Sequence, residues 1–193
     1  MAGETTRQRN LDAVVHRMLD AGRTDLPLVS LAKGAGTSDG MLVYYFKTRE
    51  ALVSEALDRI RAHRRTQLAT ELARVPRADS PTDGFAAVLR WMASEDDAAS
   101  VRFFYDAGSR GFGDDDAFCR FLQGSIRDAV DEATLTARRL GADETTAESF
   151  GTMFTAMSAA LAADRLATGD LDRIERAIDS AAGVLAGTLT PAE

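Results

Sequence analysis

The spacing of apolar residues along this chain is that of α-helices almost throughout. Near the start, apolar side chains recur at intervals of three and four residues, at Leu11, Val14, Val15, Met18 and Leu19. This is the stripe of an amphipathic helix. The alternation of Val, Ile and Thr that is typical of strands is absent. The pattern therefore predicts an all-α fold of about nine helices.

Glycine and proline mark where the first helices end and begin. Gly22 follows the first apolar stripe and can supply the left-handed residue that caps a helix C-terminus. Pro27 fits the first turn of a second short helix, which we expect to end at about residue 34. Gly36 is then the natural turn residue before a third helix.

A third short helix and a long fourth helix are predicted next. Thr37 or Ser38 can cap the third helix, which runs to about Phe46. The fourth opens at Thr48, whose hydroxyl can accept hydrogen bonds from free amides at the N-terminus. Its apolar pattern continues to about residue 75, which is a length of roughly 40 Å. We expect its basic middle, residues 59–65, to be solvated.

The clearest break in the pattern is the stretch PRADSPTDG at residues 76–84, which contains two prolines and a glycine. The break divides the chain into residues 1–50, a linking helix at 48–75, and residues 76–193. The second part is predicted to be helical as well. Its five segments lie at about 82–94, 97–110, 115–140, 144–167 and 171–188.

Charge is divided unevenly between the two parts. The 193 residues carry a net charge of −7, yet residues 1–77 carry +4 and residues 78–193 carry −11. A basic first part beside an acidic remainder suggests two tasks, one of them at a polyanion such as nucleic acid. An accidental difference in charge between the halves is the alternative.

Cysteine usage and the lack of long apolar runs indicate the compartment. Cys119 is the only cysteine, so no intrachain disulfide can form and a reducing compartment is expected. The first ten residues are polar and no run of 18 apolar residues occurs. We therefore expect neither a signal peptide nor a membrane span, and a cytoplasmic location.

Residues 27–46 are typical of a helix-turn-helix, whose second short helix enters the major groove of DNA. Leu42 and Phe46 are four residues apart and should face inward, which leaves polar and aromatic side chains outside. Tyrosine hydroxyls can donate to phosphates, and Lys33 and Lys47 are the only two lysines of the chain. The candidate DNA-binding residues are Lys33, Thr37, Ser38, Asp39, Gly40, Met41, Tyr44, Tyr45, Lys47 and Arg49. By spacing and charge alone, three packed helices that never touch DNA remain an alternative.

The segment GAGTSDGMLVYYFKTREAL resembles the signature of the TetR family of transcriptional regulators. In that family an alanine–glycine turn leads to a small polar cap, a glycine, a short recognition helix and a basic–acidic pair that opens a long helix. The resemblance covers about residues 9–60 and implies that residues 1–50 form a DNA-binding domain. The matching residues are Ala35, Gly36, Ser38, Gly40, Leu42, Tyr45, Phe46, Arg49, Glu50 and Leu52.

The chain departs from the family pattern at three places. Val43 stands where a tyrosine is usual, so the resemblance implies that Tyr44 is the phosphate-contacting tyrosine. Arg49 replaces the usual lysine and keeps the charge. Pro27 replaces the threonine that often caps the second helix. The first departure alters the expected DNA contacts, whereas the other two leave the fold intact.

Large apolar side chains concentrate in residues 85–157. By their spacing they are equally typical of a plain helical core. The resemblance implies that this region holds a ligand cavity, and aromatic and methionine side chains favour an apolar or aromatic small molecule. The candidate ligand-binding residues are Trp91, Phe103, Phe104, Phe121, Phe150, Met153, Phe154 and Met157.

The last two predicted helices carry many small residues, which allow helices to approach closely. They include Ala156, Ala159, Ala160, Ala181, Ala182, Gly183 and Ala186. Packing within one chain is the alternative use of such residues. The resemblance implies a homodimer in which these helices pair across a two-fold axis as a four-helix bundle.

No residue pattern supports catalysis or a metal site. Two distant histidines, His16 and His63, with one cysteine make no zinc pattern. Asp114, Asp115 and Asp116 lack the spacing of a calcium loop and suit a helix N-terminus. Cys119 lies in an apolar stretch and is expected to be inert core. We therefore expect no enzyme, no cofactor and no metal.

Together the residues and the resemblance predict a DNA-binding transcriptional regulator. Its partners would be double-stranded operator DNA, a small-molecule effector that controls operator affinity, and a second copy of the chain, with no membrane partner. We expect a repressor. The alternatives are an activator of the same fold and a helical dimeric interaction module without DNA binding.

Overall fold

The computed structural model describes residues 2–189, which form nine α-helices and no strand. The predicted all-α class is therefore confirmed. Within the same residues no helix is both long enough and apolar enough to cross a membrane. The helices are α1 (Ala2–Ala21), α2 (Leu28–Gly34), α3 (Asp39–Phe46), α4 (Arg49–Leu72), α5 (Pro81–Met92), α6 (Ala98–Gly111), α7 (Asp116–Arg139), α8 (Glu144–Thr168) and α9 (Leu171–Thr188), with a 3₁₀ turn at Val75–Arg77.

Local signals set the helix ends as predicted. Gly22 and Gly36 adopt the left-handed conformation, with φ of 61° and 63°. The Ser38 hydroxyl, rather than that of Thr37, accepts the amide of Met41 at 3.3 Å and caps α3. Thr48 caps α4 in the same way.

The long helix α4 ends at Leu72, a few residues before the predicted end. Pro76 disfavours helical backbone at the residue before it, so the chain turns into the 3₁₀ segment there. Gly84 of α5 lies against this turn: a Cβ at Gly84 would be 2.9 Å from Cα of Val75. Only glycine therefore allows α5 to pack so closely on the turn.

The described helices form two compact units. The first consists of the residues up to His63 together with Ala99–Gly124, and the second of Arg64–Ala98 together with the residues from Ser125 onward. Compactness thus groups α6 and the start of α7 with α1, α2, α3 and most of α4. The predicted boundary at residues 76–84, which separates a DNA-binding part from a ligand-sensing part, stays a prediction.

Each unit has its own apolar core. In the first, side chains of α1 to α4 enclose Leu42 and Phe46 of α3. In the second, the rings of Phe150 and Phe154 stack with centroids 6.2 Å apart, and the Phe85 ring is tilted against Phe150 with centroids 5.0 Å apart. Tilted and offset rings at these distances contribute beyond the area that they bury.

Acidic residues pair with the basic middle of α4, whose Arg59, His63 and Arg65 are exposed to solvent as expected. In the first unit Arg59 lies 2.8 Å from Asp12. In the second, Arg64 donates to both carboxylate oxygens of Asp97 at 2.8 Å, and both side chains are largely buried. Arginine forms such bidentate pairs with carboxylates because its guanidinium is planar. The charge of this helix is therefore largely neutralised by acidic residues of the same unit.

Helices α8 and α9 are joined by a second bidentate pair. The Arg173 guanidinium donates to both carboxylate oxygens of Asp164 at 2.7 Å. This hydrogen bonding, with the adjacent positive charge, lowers the pKa of Asp164 below its ordinary value. Asp143, which caps α8 by accepting the amide of Thr146 at 3.0 Å, also has a lowered pKa for that reason.

We expect acid to weaken the junction of α8 and α9 through Asp164. Because its folded-state pKa lies below the ordinary value of 3.8, its stabilisation is complete above that value. The stabilisation is lost as the pH falls through the folded-state pKa. The melting temperature of the parent should therefore fall more steeply than that of Asp164→Asn as the pH drops from about 5 to about 2.

Asp172→Asn is the matched control, because it removes a neighbouring carboxylate and keeps the pair of Asp164 with Arg173. Its melting temperature should follow the pH dependence of the parent. Equal pH dependence of the parent and Asp164→Asn would contradict a stabilising role for the pair.

Candidate nucleic-acid interface

The turn between α2 and α3 is built by backbone geometry. Helix α2 buries Leu31 and Ala32, and its last turn closes when the Thr37 amide donates to the carbonyl of Ala32 at 3.0 Å. The left-handed Gly36 makes this reversal possible. The chain then enters α3 at Asp39, after the cap at Ser38.

Helix α3 presents one face outward. Leu42 and Phe46 are buried, so successive rotations of 100° place Gly40 and Tyr44 on the opposite side. The predicted DNA-binding residues divide accordingly. Exposed are Lys33, Ser38, Asp39, Gly40, Met41, Tyr44 and Lys47, and partly buried are Thr37, Tyr45 and Arg49.

The two adjacent tyrosines of α3 occupy different environments. Tyr44 is 67% exposed, whereas Tyr45 packs against the core of the first unit. Their rings meet edge to face, with centroids 5.2 Å apart. Tyr44 is thus the tyrosine available to a partner, and Tyr45 supports it.

Lys47, between α3 and α4, has a strained backbone. Its φ of 72° and ψ of −55° define a γ-turn, in which the Thr48 amide donates to the Phe46 carbonyl at 2.9 Å. This form of the γ-turn is rare and costs about 1–3 kcal/mol. The turn directs the Lys47 amino group back to α3, where it donates to the Tyr44 carbonyl at 3.1 Å. The Lys47 amino group also lies 5.6 Å from the centre of the Tyr44 ring.

Arg49 has a structural contact in this conformation. Its guanidinium donates to the carbonyl of Leu26 at 3.1 Å, which fastens the loop before α2 to the start of α4. This carbonyl precedes Pro27, so the loop that leads into α2 is held in position. A DNA contact by Arg49 stays a prediction.

A charged clamp joins α1, α3 and α4. Arg7 of α1 donates to both carboxylate oxygens of Glu55 at 2.6 Å. The same guanidinium lies 4.7 Å from the centre of the Phe46 ring, within the range of a cation–π contact. The end of α3 is therefore held from two neighbouring helices.

Helix α6 holds the loop between α1 and α2. The amide and the hydroxyl of buried Thr24 both donate to one carboxylate oxygen of Asp106, at 2.7 and 2.5 Å. Gly22 lies against α6 as well, since a Cβ there would be 3.0 Å from Cβ of Arg102. These residues are about eighty positions apart, so no local pattern could have indicated the contact.

Two exposed apolar residues are absent from the predicted DNA-binding set. Val43 of α3 is 43% exposed, and Val29 of α2 is 65% exposed. Val43 follows the buried Leu42 by one residue, which rotates it about 100° away from the buried side of α3, and this helical period could have indicated its exposure.

The predicted ligand-binding residues fall into both units. Trp91, Met153 and Met157 lie partly buried beside the buried Phe150 and Phe154 in the second unit. Phe103, Phe104 and Phe121 belong to the core of the first unit, which they share with the helix-turn-helix. Their ring centroids are 5.3 to 6.4 Å apart. The structure therefore does not gather the eight residues into one cluster.

The cysteine and the acidic residues before α7 make hydrogen bonds and ion pairs within the chain. Across residues 2–189 no group of three or more acidic, histidine or cysteine side chains is placed to hold a metal ion. The Cys119 thiol is partly buried and donates to the carbonyl of Gly113 at 3.1 Å. Asp115 pairs with Arg110 at 2.9 Å before α7 begins.

The strain at Lys47 predicts an unusual effect of glycine. Lys47→Gly should leave the free energy of unfolding unchanged or raise it by about 1 kcal/mol, because relief of about 1–3 kcal/mol outweighs the entropy of glycine in the unfolded chain. Lys33→Gly, in the last turn of α2, should lower it by about 1 kcal/mol. Urea unfolding of both variants measures the difference. Equal destabilisation by the two substitutions would contradict strain at Lys47.

Solved structures of similar fold cover nearly the whole chain. A transcriptional regulator from Rhodococcus sp. Rha1 has a TM-score of 0.71 and 18% identity, over 93% of this chain and 95% of its own. A protein described as a TetR-family transcriptional regulator from Rhodococcus sp. has a TM-score of 0.70 and 19% identity, over 93% and 99%.

A third similar structure is SmeT in complex with triclosan, with a TM-score of 0.61 and 20% identity, over 93% of this chain and 91% of its own. SmeT is the repressor of the Stenotrophomonas maltophilia multidrug efflux pump SmeDEF. No family model and no curated protein sequence matches the chain. None of the three similar proteins is described as an enzyme. The likeness confirms the fold that the sequence resemblance implied: the chain has the fold of TetR-family transcriptional regulators.

Proposed function

We propose that this protein is a dimeric DNA-binding transcriptional regulator whose operator affinity is controlled by a small apolar or aromatic molecule. The observation that carries the proposal is the outer face of α3, where an exposed tyrosine and a strained lysine lie on a helix-turn-helix within this fold. The same fold in known transcriptional regulators supports it. Such a regulator acts where the DNA is, which we propose is the cytoplasm.

The contacts with DNA would come mainly from both ends of the helix-turn-helix. Lys33 lies exposed in the last turn of α2, and Lys47 lies exposed after α3. Tyr44 stands between them on the outward face. Lysine and tyrosine side chains at such positions contact phosphates, which fix the register of a recognition helix in the groove. Ser38 and Thr37 would contribute from the turn.

The proposed dimer uses exposed faces of α8 and α9. On the side of α9 opposite the buried Ile174 and Ile178, charged residues near the start of the helix give way to Ser180, Gly183 and Gly187 near its end, and Val184 is 53% exposed. A Cβ at Gly183 or Gly187 would meet no atom within 4 Å, so packing within the chain does not require glycine. Glycine in a helix interior costs about 1 kcal/mol relative to alanine, and close approach of another helix gives it a use.

The proposed effector site lies in the second unit. Trp91, Met153 and Met157 are partly buried there beside packed phenylalanines, which suits an apolar or aromatic ligand. The complex of SmeT with triclosan, an aromatic molecule, supports this class of ligand. The proposed ligand-binding set also includes Phe103, Phe104 and Phe121. These three belong to the core of the first unit, which also contains residues of α2 and α3.

The effector would act by shifting populations. A ligand that prefers one conformation of the dimer changes operator affinity by its difference in affinity for the two conformations. SmeT is a repressor, which supports repression as the mode of action here. An activator of the same fold, and an interaction module without DNA binding, are the competing proposals.

We expect salt-sensitive binding to a duplex that spans the DNA immediately upstream of the protein's own gene. Each lost phosphate contact reduces the slope of log affinity against log salt by about 0.9. Lys33→Ala and Lys47→Ala should each show this reduction, whereas Arg120→Ala, which removes an exposed charge of α7, should not. Fluorescence anisotropy across a salt series measures the slopes. Binding that is absent, or insensitive to both lysine substitutions, would favour the interaction module.

We expect Val184→Arg to abolish the dimer, because a buried and unpaired charge at a helix contact costs several kcal/mol. Phe112→Arg is the control, since Phe112 is an exposed apolar residue after α6 and belongs to neither α8 nor α9. Sedimentation at matched concentrations should give a monomer for the first variant and a dimer for the second. A dimer that survives Val184→Arg would place the interface elsewhere.

A further inference from the structure

The outer face of α3 lacks the side chains that most often read bases. Residues 39–46 contain no arginine, lysine, asparagine or glutamine. Arginine and lysine recognise guanine, and asparagine and glutamine recognise adenine, by paired hydrogen bonds in the major groove. Asp39, in the first turn, can accept from cytosine. If α3 enters the groove, as the proposed function requires, a preference for other bases needs another chemical origin.

Two exposed apolar side chains flank the outward ridge of α3. Met41 is 40% exposed and Val43 is 43% exposed. They are two residues apart, so they lie about 160° from each other around the helix, with Gly40 and Tyr44 between them. In the major groove, the apolar group that a base presents is the C5-methyl of thymine.

Gly40 gives an independent indication of close approach. It lies in the first turn of α3 with an ordinary helical φ. A Cβ at Gly40 would meet only the hydroxyl of Ser38, at a comfortable 3.9 Å. The fold therefore does not require glycine there, although glycine lowers helix stability by about 1 kcal/mol relative to alanine. A surface outside the chain that comes close to the backbone accounts for it.

Lys47 and Tyr44 are consistent with this arrangement. The Lys47 amino group is held against the Tyr44 carbonyl and ring at the end of α3. It thus lies at the rim of the outward face, where phosphates run, and not at its centre. Positive charge positions the helix, and the apolar side chains are left to face the bases.

We propose that α3 selects its operator through thymine methyl groups, which Met41 and Val43 contact at a distance that Gly40 permits. The inference rests on the proposed function. Burial of one methyl group corresponds to a change of about four-fold in affinity. Each half-site should therefore contain thymines whose replacement by deoxyuridine, which removes only the methyl group, weakens binding about four-fold per site.

The experiment begins with selection of bound sequences from a random duplex library by the full chain. The enriched duplex is then synthesised with thymine and with deoxyuridine at each half-site position. Fluorescence anisotropy measures the affinity of both forms for the parent, Met41→Ala and Val43→Ala. Each variant should lose sensitivity to deoxyuridine at its own thymine and keep it at the other.

Ile126→Ala is the matched control, because it truncates an exposed apolar side chain of α7. It should retain the full sensitivity of the parent. Gly40→Ala should affect stability and DNA binding in opposite directions. Its melting temperature should equal or exceed that of the parent. Its affinity for the enriched duplex should fall on the order of ten-fold, as for a mismatched base pair.

The outcomes separate the inference from the proposed function. An enriched sequence that binds equally well with deoxyuridine would overturn the reading of methyl groups and leave DNA binding intact. Unchanged affinity of Gly40→Ala would overturn the close approach. A library from which no sequence is enriched, with no salt-sensitive binding, would overturn both the inference and the proposed function.

Discussion

Burial of Leu42 and Phe46 fixes the orientation of α3, and what this helix can present to a partner follows from it. Both side chains are almost fully enclosed in the core of the first unit. A helix of eight residues is too short to be stable by itself, so its contacts and caps hold it. Ser38 closes its start, and the clamp of Arg7 with Glu55 covers the Phe46 ring at its end. Because one face is held in this way, Gly40 and Tyr44 can only face outward.

Residues 1–77 carry a net positive charge, but several of their arginines are neutralised by ion pairs. Arg7, Arg59, Arg64 and Arg65 each pair with an acidic residue of their own unit. Pairs on the surface contribute about 0–1 kcal/mol, whereas breaking a pair that is mostly buried costs a few kcal/mol. Their main effect here is therefore to neutralise charge along α1 and α4. Lys33 and Lys47, at the ends of the helix-turn-helix, and Arg49, whose guanidinium donates to a backbone carbonyl, carry positive charge near the outward face of α3.

The aromatic residues of the second half serve two cores. Phe103 and Phe121 support the helices that carry the outward face, while Phe150 and Phe154 pack with Phe85 in the second unit. Asp106 of α6 holds the loop before α2 through Thr24, so α6 contributes to the position of the reading helices.

Several features of the fold and the site could be derived from local residues. The helix limits, the left-handed glycines and the cap at Thr48 follow from interactions within a few positions of the chain. The identity of Tyr44 as the outward tyrosine also follows, since it depends on the helical period and on which neighbours are apolar. The strain at Lys47 could not be derived in this way, because the two helices that it joins impose it.

By itself, therefore, the sequence determined the helical class, the helix-turn-helix and most of its outward residues, because short-range spacing and capping encode them. The tertiary structure alone decided which charges are neutralised, which phenylalanines belong to which core, and that Arg49 and Asp106 hold the loop before α2. These contacts join residues tens of positions apart. Their partners are selected by the packing of whole helices, and no local pattern records that selection.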